Sequence, residues 1–164
     1  MTVVVRAATP AEYDAVGELT VAAYQADGFV TAGPYVDVLR DTATRAAVTD
    51  VMVAVDDDEL LGTVTLVPPA APKEWREHHR TDAGTIRMLA VAKTARGRGV
   101  GGSLTAWCID EARRRGWKEL TLVTQPDMHT AHRIYRRAGF RRDPELDFDV
   151  GGGLTLLGYS LPLS

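Results

Sequence analysis

The stretch Arg96-Gly97-Arg98-Gly99-Val100-Gly101-Gly102 decides how the rest of the chain is interpreted. It follows a strand-like run at residues 85–91 and precedes a segment with apolar residues at helical spacing, which predicts a glycine loop that opens a helix. Backbone N–H groups without obstructing side chains converge at such a positive helix end, and the two loop arginines can grip phosphate. We therefore predict an anion site for a diphosphate. A glycine-rich turn that serves only tight packing is the structural alternative.

Two familiar nucleotide-binding patterns fit this loop poorly. Gly97, Gly99 and Gly102 spell GxGxxG, but the remaining chain offers too few parallel strand–helix units for a dinucleotide fold. Ser103 follows Gly102, where the phosphate-binding loop of an ATPase would carry lysine. A protein that binds NADP through the two loop arginines remains a weaker hypothesis.

The segments around the loop predict one mixed α/β domain over residues 1–164. Before the loop we expect a strand at 3–5 and a helix capped by Thr9 and Glu12 that runs to about 25. A second helix from 35 to about 49 and a hairpin of strands 51–55 and 60–67 should follow. A loop at 68–83 with one helical turn then leads to a strand at 85–91. After it we expect a helix, a strand at 120–124, a helix at 131–138, and two strands near 140–143 and 154–162. This order favours a central, mostly antiparallel sheet with helices on both faces.

The composition excludes several classes of protein. With 45% hydrophobic residues, a chain of 164 residues can form a core without disulfides or a structural metal. The single cysteine, Cys108, is predicted to be a small core side chain, and the first ten residues carry no secretion signal, which favours the cytoplasm. No apolar run is long enough to cross a bilayer. The net charge of −3 argues against a nucleic-acid partner.

Two motifs together resemble the GCN5-related N-acetyltransferase (GNAT) superfamily. The first is Met88-Leu89-Ala90-Val91, followed after a short step by a match to the family's R/Q-x-x-G-x-G/A signature at 96–101. The second is Ile134-Tyr135-Arg136-Arg137-Ala138-Gly139-Phe140, with Ala131 before it, which is similar to the family's LYxxxGF helix. The resemblance covers residues 85–141 closely and most of the chain through the order of its elements.

The resemblance implies acetyl-coenzyme A (acetyl-CoA) as the co-substrate. Its diphosphate is then expected at Arg96, Gly97, Arg98, Gly99, Val100, Gly101 and Gly102. Its pantetheine arm is expected along the backbone of Leu89, Ala90 and Val91, with Ala131 as a further cofactor-binding residue. Met128 stands where many relatives carry an asparagine that contacts the arm, so we do not expect that contact.

The chemistry of acetyl transfer requires a neutral amine, a donor for the oxyanion and a proton for the leaving thiolate. By resemblance, the Leu89 N–H is the oxyanion donor and Tyr135 is the general acid; on spacing alone, Tyr135 is a core aromatic. Relatives often carry a glutamate on the strand where this chain has Arg87. Our candidates for the base are therefore the loop residues Glu77, His78, His79 and Asp82.

Other conspicuous residues receive structural interpretations. His129 and His132 are expected to be structural, and Trp75 either covers the substrate cleft or packs its loop. Glu145, Asp147 and Asp149 are interpreted as a solvated acidic loop, with attraction of a cationic amine as the alternative.

The sequence thus predicts an N-acetyltransferase that acts on a primary amine of a small molecule or peptide, without a metal. The alternative is a non-catalytic acyl-CoA-binding module, which the missing strand glutamate favours. Acceptor specificity is expected in loops 25–34, 68–83 and 143–153. Exposed strand edges make a homodimer a further hypothesis.

Overall fold

The structure, a computed structural model, describes residues 2–28 and 32–163. The strands are β1 (Val4–Ala7), β2 (Asp50–Asp56), β3 (Glu59–Val67), β4 (Ala83–Val91), β5 (Glu119–Thr124), β6 (Arg141–Arg142), β7 (Phe148–Gly151) and β8 (Leu154–Pro162). The helices are α1 (Tyr13–Ala26), α2 (Pro34–Arg40), α3 (Thr42–Ala46), α4 (Lys73–Arg76), α5 (Val100–Arg114) and α6 (His129–Arg137). The eight strands of this described part belong to one mostly antiparallel sheet. The predicted α/β class is confirmed.

The described residues divide into two compact units, each made from two separate parts of the chain. The first unit lies within 1–66 and 88–104, and the second within 67–87 and 105–164. The chain passes from one unit to the other inside β4, between Arg87 and Met88. The expectation of a single domain stays a prediction. Residues 29–31 of the predicted specificity loop 25–34 lie outside the described residues.

The first unit is built on β1, β2 and β3, which pair antiparallel in chain order. β2 and β3 form the predicted hairpin, and Asp57 in its turn has a φ of 52°. Val16 of α1 packs against Val51, Val53 and Val55 in a buried cluster. The three valines occupy alternate positions along β2, so they share the face of the strand that packs against α1.

The predicted cap before the first helix is confirmed. The Thr9 N–H donates to Glu12 Oε1 at 2.9 Å, and Arg6 donates to both oxygens of the same carboxylate at 2.8 and 2.9 Å. A 3₁₀ turn at Pro10–Glu12 then leads into α1. Hydrogen bonds from Arg6 and from the Thr9 N–H lower the pKa of Glu12 to about 2.

The single second helix predicted from residue 35 to about 49 is wrong. The chain forms two short helices, α2 and α3, which meet at Asp41. Asp41 Oδ1 accepts a hydrogen bond from the Thr44 N–H at 3.1 Å, so this residue caps α3 instead of continuing α2.

The second unit is organised around β8. β5 pairs antiparallel with β8 from Glu119 opposite Pro162 to Thr124 opposite Leu157. β6 and β7 also pair antiparallel with β8. β4 pairs in parallel with β5 through Ala83–Thr85, at the beginning of the strand. The predicted elements at 85–91, 120–124 and 131–138 are thus present, with ends that differ by a few residues.

The expectation of two final strands, with an acidic loop between them, needs correction. A third strand, β7, contains Asp149, and a 3₁₀ turn at Pro144–Leu146 contains Glu145. All four residues of β7 are exposed. The strand therefore lacks the alternation of buried and exposed positions that makes a strand visible in a sequence.

Candidate active site

The glycine loop has the local geometry that its sequence predicts. After β4, a 3₁₀ turn at Lys93–Ala95 leads into the loop, and α5 begins at Val100. Gly97 and Gly99 have φ values of 80° and 77°, a left-handed conformation that side chains disfavour. Ser103 N–H donates to the Gly99 carbonyl at 3.0 Å and closes the first turn of α5. The loop therefore delivers its backbone to the positive end of a helix.

Tight packing does not explain these glycines. A Cβ atom built on Gly97, Gly99 or Gly102 would meet no described atom within 4 Å. Gly62 of β3 behaves differently, because a Cβ there would lie 2.9 Å from the Ala90 carbonyl oxygen. The space beside the loop glycines is open, as an anion site requires.

Arg96 is engaged by a partner that the sequence analysis missed. Its Nη1 and Nη2 donate to Asp27 Oδ1 and Oδ2, both at 2.9 Å. Asp27 follows the end of α1, and both side chains are more than a third exposed. An exposed ion pair contributes about 0–1 kcal/mol, so a phosphate can compete for Arg96.

The end of β4 carries a strained residue beside the predicted oxyanion donor. Met88 has a φ of 54°, although it is 4% exposed and lies within a strand. A buried residue other than glycine adopts this conformation only where its surroundings impose it, and such strain concentrates at functional sites. It also re-aims the following peptide, which carries the Leu89 N–H. Ala92 N–H donates to the Leu61 carbonyl at 2.8 Å and fixes the strand end within the first unit.

Tyr135 lies on α6 and is buried in the second unit. Its ring meets Phe140 edge-on, with centroids 5.8 Å apart. Burial, and to a lesser extent Cys108, raises the pKa of the Tyr135 hydroxyl above its usual range. The hydroxyl therefore keeps its proton at neutral pH. Ala131, one turn earlier on α6, is half-buried.

The candidate bases occupy very different surroundings. Asp82 is exposed and lies 3.6 Å from Lys118 Nζ, and His79 is exposed. His78 is buried, and its Nδ1 accepts a hydrogen bond from the Arg80 N–H at 3.0 Å. The neutral ring of His78 therefore carries its proton on Nε2, and that nitrogen cannot act as a base. Burial lowers the pKa of His78, which keeps the ring neutral.

Glu77 is the remaining candidate, and it pairs with Arg87. Arg87 Nε lies 2.7 Å from Glu77 Oε1, and the Arg87 guanidinium stacks on the Trp75 ring at 5.3 Å. Desolvation raises the pKa of Glu77, and the charge of Arg87 opposes this shift. Trp75 thus contacts β4 through Arg87, and the two roles expected for it stay predictions.

A cleft of about 780 Å³ lies within the second unit. Its lining is Lys73, Glu74, Glu77–Arg80 and Glu145–Phe148. The lining residues within 73–80 form the first wall, and residues 145–148 form the second. Arg80 joins the two walls, because its Nη1 lies 2.8 Å from Asp143 Oδ2 and its Nη2 lies 3.4 Å from Glu145 Oε2. Gly158 of β8 supports the second wall, since a Cβ there would lie 2.6 Å from the Asp143 carbonyl oxygen.

The acidic residues of this wall are more than a solvated loop. Asp147 accepts hydrogen bonds from Arg142 at 2.8 and 3.0 Å and from the Gly158 N–H at 2.8 Å. These contacts lower the pKa of Asp147, the Arg142 hydrogen bond most. The Glu145 side chain is the more exposed of the two, at 88% against 27% for Asp147.

The structural interpretations of Cys108 and His132 are confirmed. Cys108 is fully buried in α5. His132 is buried, and its Nε2 lies 3.0 Å from the Gln125 carbonyl oxygen. Met128 Sδ accepts a hydrogen bond from Thr124 Oγ1 at 3.4 Å.

Residues 2–28 and 32–163 contain no cluster of three or more His, Cys, Asp or Glu side chains suited to a metal ion. They also contain no helix with the length and apolar character needed to span a bilayer.

Curated relatives match about half of the chain. This chain is 36% identical over 90 residues to N-alpha-acetyltransferase 30 of Schizosaccharomyces pombe, and the match covers 55% of this chain and 56% of that protein. It is 32% identical over 89 residues to aminoalkylphosphonate N-acetyltransferase of Salmonella typhimurium, with 54% of each protein covered. The chain thus spans about half the length of these relatives.

Solved structures match nearly the whole chain. A GCN5-related N-acetyltransferase from Kribbella flavida superposes with a TM-score of 0.73 at 25% identity, and the match covers 98% of both chains. An acetyltransferase of the GNAT family from Staphylococcus aureus gives a TM-score of 0.78 at 14% identity, with 99% of this chain and 100% of that chain covered, a likeness of fold alone. The sequence model of the acetyltransferase (GNAT) family matches residues 14–140. The fold, the loop and this match agree, and the chain belongs to the acetyltransferase (GNAT) family.

Proposed function

We propose that this protein transfers the acetyl group of acetyl-CoA to a primary amine of a small molecule or peptide. The observation that carries the proposal is the continuous segment 88–104 of the first unit. It contains, in chain order, a strained strand residue, a 3₁₀ turn, a loop with two left-handed glycines and the start of a helix. This segment brings a glycine loop with open space beside it to a positive helix terminus.

The loop is proposed to bind the diphosphate of acetyl-CoA through Arg96–Gly102. The left-handed glycines turn the backbone without side chains that would block an anion. The backbone of Leu89, Ala90 and Val91 is proposed to pair with the pantetheine arm, with Ala131 as a further contact. A solved relative from Salmonella typhimurium, 20% identical, is described with its cofactor acetyl-CoA.

Two groups are proposed to stabilise the charges that develop during transfer. The Leu89 N–H donates to the oxyanion formed at the thioester carbonyl, and the strain at Met88 supports this role because it fixes the direction of the peptide. Tyr135 donates its proton to the departing thiolate. An ordinary thiol has a pKa of about 8.5, so full transfer requires a thiolate held away from water, where its basicity rises.

The names of the relatives support an amine as the acceptor. One is an N-alpha-acetyltransferase and another acetylates aminoalkylphosphonates, so both transfer acetyl to nitrogen.

The experiment is an acceptor screen with acetyl-CoA. The full chain is incubated with 2-aminoethylphosphonate, spermidine or a short peptide with an unblocked N-terminus, and thiol release is recorded. We expect release that depends on one of these amines. Calorimetric binding of acetyl-CoA without release on any amine favours the non-catalytic module, and tighter binding of NADP than of coenzyme A overturns the assignment.

A further inference from the structure

We propose that Glu77 takes the proton from the acceptor ammonium, and that Arg87 is the positioning residue that holds the Glu77 carboxylate. This inference rests on the proposed function. It assigns the base that acetyl transfer requires, because a primary amine with a pKa near 10 is about 10³-fold more protonated than neutral at pH 7.

Contacts with Arg87 fix the position of the Glu77 carboxylate. Arg87 Nε lies 2.7 Å from Glu77 Oε1, and the Arg87 guanidinium is in turn held over Trp75. The Arg87 side chain is 12% exposed and that of Glu77 is 22% exposed, so the pair is mostly shielded and Glu77 keeps partial access to solvent. A base must be pre-positioned and reachable, and Glu77 satisfies both requirements.

The pair lies next to the proposed oxyanion donor along the chain. Arg87 precedes Leu89 by two positions on β4, with the strained Met88 between them. Glu77 directly follows α4 and has a φ of 62°, so the helix ends there and the chain turns toward His78. Glu77 also lines the 780 Å³ cleft, which gives an amine a route to its carboxylate.

The other three candidates lack one of these properties. His78 presents a protonated Nε2 because its Nδ1 accepts a backbone hydrogen bond. Asp82 is exposed beside Lys118, outside the lining of the cleft. His79 lines the cleft but is exposed, and no contact with another residue of 2–28 or 32–163 fixes its ring.

Two opposing effects act on the Glu77 carboxyl. Burial raises the pKa of Glu77, and the charge of Arg87 limits this rise. The other titratable groups that face the cleft are the cations Lys73 and Arg80, the acids Glu74, Glu145 and Asp147, and the imidazoles of His78 and His79. Asp147 is paired with Arg142.

The step balances as follows. The ammonium gives one proton to the Glu77 carboxylate, and the neutral nitrogen forms a bond to the thioester carbonyl carbon. The carbon–sulfur bond then breaks, and its electron pair leaves on sulfur. The second excess proton of the nitrogen goes to that sulfur by way of Tyr135, and Glu77 releases its own proton to solvent. The products are an acetamide, coenzyme A and one proton.

The test compares Glu77→Gln with Asp82→Asn as a matched control. Both changes remove a loop carboxylate at a left-handed position, with φ values of 62° and 57°. With the amine of the screen that gives the highest kcat/KM, we expect E77Q to lower kcat/KM by about 10²-fold or more at pH 7. We expect the D82N variant to stay within about twofold of the wild type. The defect of E77Q should shrink toward pH 10, where solvent supplies the neutral amine.

Arg87→Gln separates a base from a mere anchor of the loop. Loss of the cation raises the pKa of Glu77, so the acidic limb of the kcat/KM profile should move to higher pH in R87Q, whereas it should vanish in E77Q. If E77Q does not fold, Glu77→Asp takes its place and should keep the limb at a reduced rate. An acidic limb that is unchanged in E77Q, or an E77Q rate equal to that of D82N, overturns the role of Glu77 and leaves the proposed function intact. A wild-type protein that acetylates no amine overturns the proposed function as well.

Discussion

Arg96 and Asp27 form a two-pronged ion pair in the first unit, with both N–O distances at 2.9 Å. The pair joins the beginning of the glycine loop to the end of α1. Under the proposed function, the same guanidinium must face both an aspartate and a diphosphate. Asp27 therefore orients Arg96 and competes for it, and the balance between these effects can be measured.

The first prediction concerns this balance. Asp27→Asn removes a negative charge beside the proposed anion site, so we expect acetyl-CoA to bind two- to fivefold more tightly, a change of roughly 0.4–1 kcal/mol. Arg96→Gln should weaken binding about tenfold. Isothermal titration calorimetry at low ionic strength measures both, with Glu18→Gln, which removes one of the two acidic partners of Arg40, as the control. Weaker binding by D27N would mean that orientation outweighs competition.

The second prediction concerns Tyr135. Tyr135→Phe removes the hydroxyl and keeps the ring contact with Phe140, so the protein should stay folded. We expect kcat to fall roughly 10²-fold, at the lower end of the range for general acid catalysis, while the Kd of acetyl-CoA is unchanged. Tyr159→Phe, at another buried ring of the second unit, is the control. An unchanged kcat in Y135F would assign Tyr135 to the core.

The third prediction separates the glycines of the loop by stability. Gly97→Ala and Gly99→Ala should each lower the free energy of unfolding by about 1–2 kcal/mol, because alanine is strained at φ values near 80°. Gly102→Ala should raise it by up to about 1 kcal/mol, since Gly102 lies inside α5 and has open space for a Cβ. Urea unfolding measures all three, and equal effects would contradict the left-handed geometry.

The fourth prediction concerns pH and the start of α1. The folded pKa of Glu12 is about 2, below its value in the unfolded chain, because it accepts hydrogen bonds from Arg6 and the Thr9 N–H. Its contribution is therefore complete above about pH 5 and is lost as the pH falls toward 2. Since Glu12 is near the surface, we expect on the order of 1 kcal/mol. Unfolding of the wild type and Glu12→Gln at pH 7 and pH 3 should show a smaller difference at pH 3.

Local signals in the sequence predicted the parts of the fold that depend on them. The cap at Thr9 and Glu12 is a contact between near neighbours, and the glycine loop carries its own backbone requirement. Both are encoded within a few residues.

Longer-range features of the site could not be predicted in the same way. Glu77 and Arg87 are ten positions apart, and Asp27 and Arg96 are far more distant in sequence, so their pairing depends on the fold. The sequence does signal the first pair indirectly, because Arg87 is a charged residue in a strand with buried neighbours. β7 was missed because exposure of all its residues removes the pattern on which strand prediction relies.

The burial of Cys108 has a practical consequence. It is the one cysteine of the sequence, and its side chain on α5 is fully buried. A folded sample should therefore add little background when coenzyme A is titrated with a thiol-reactive dye. The same dye becomes a gauge of transient opening, since its slow reaction with the native protein would report how often the core is exposed.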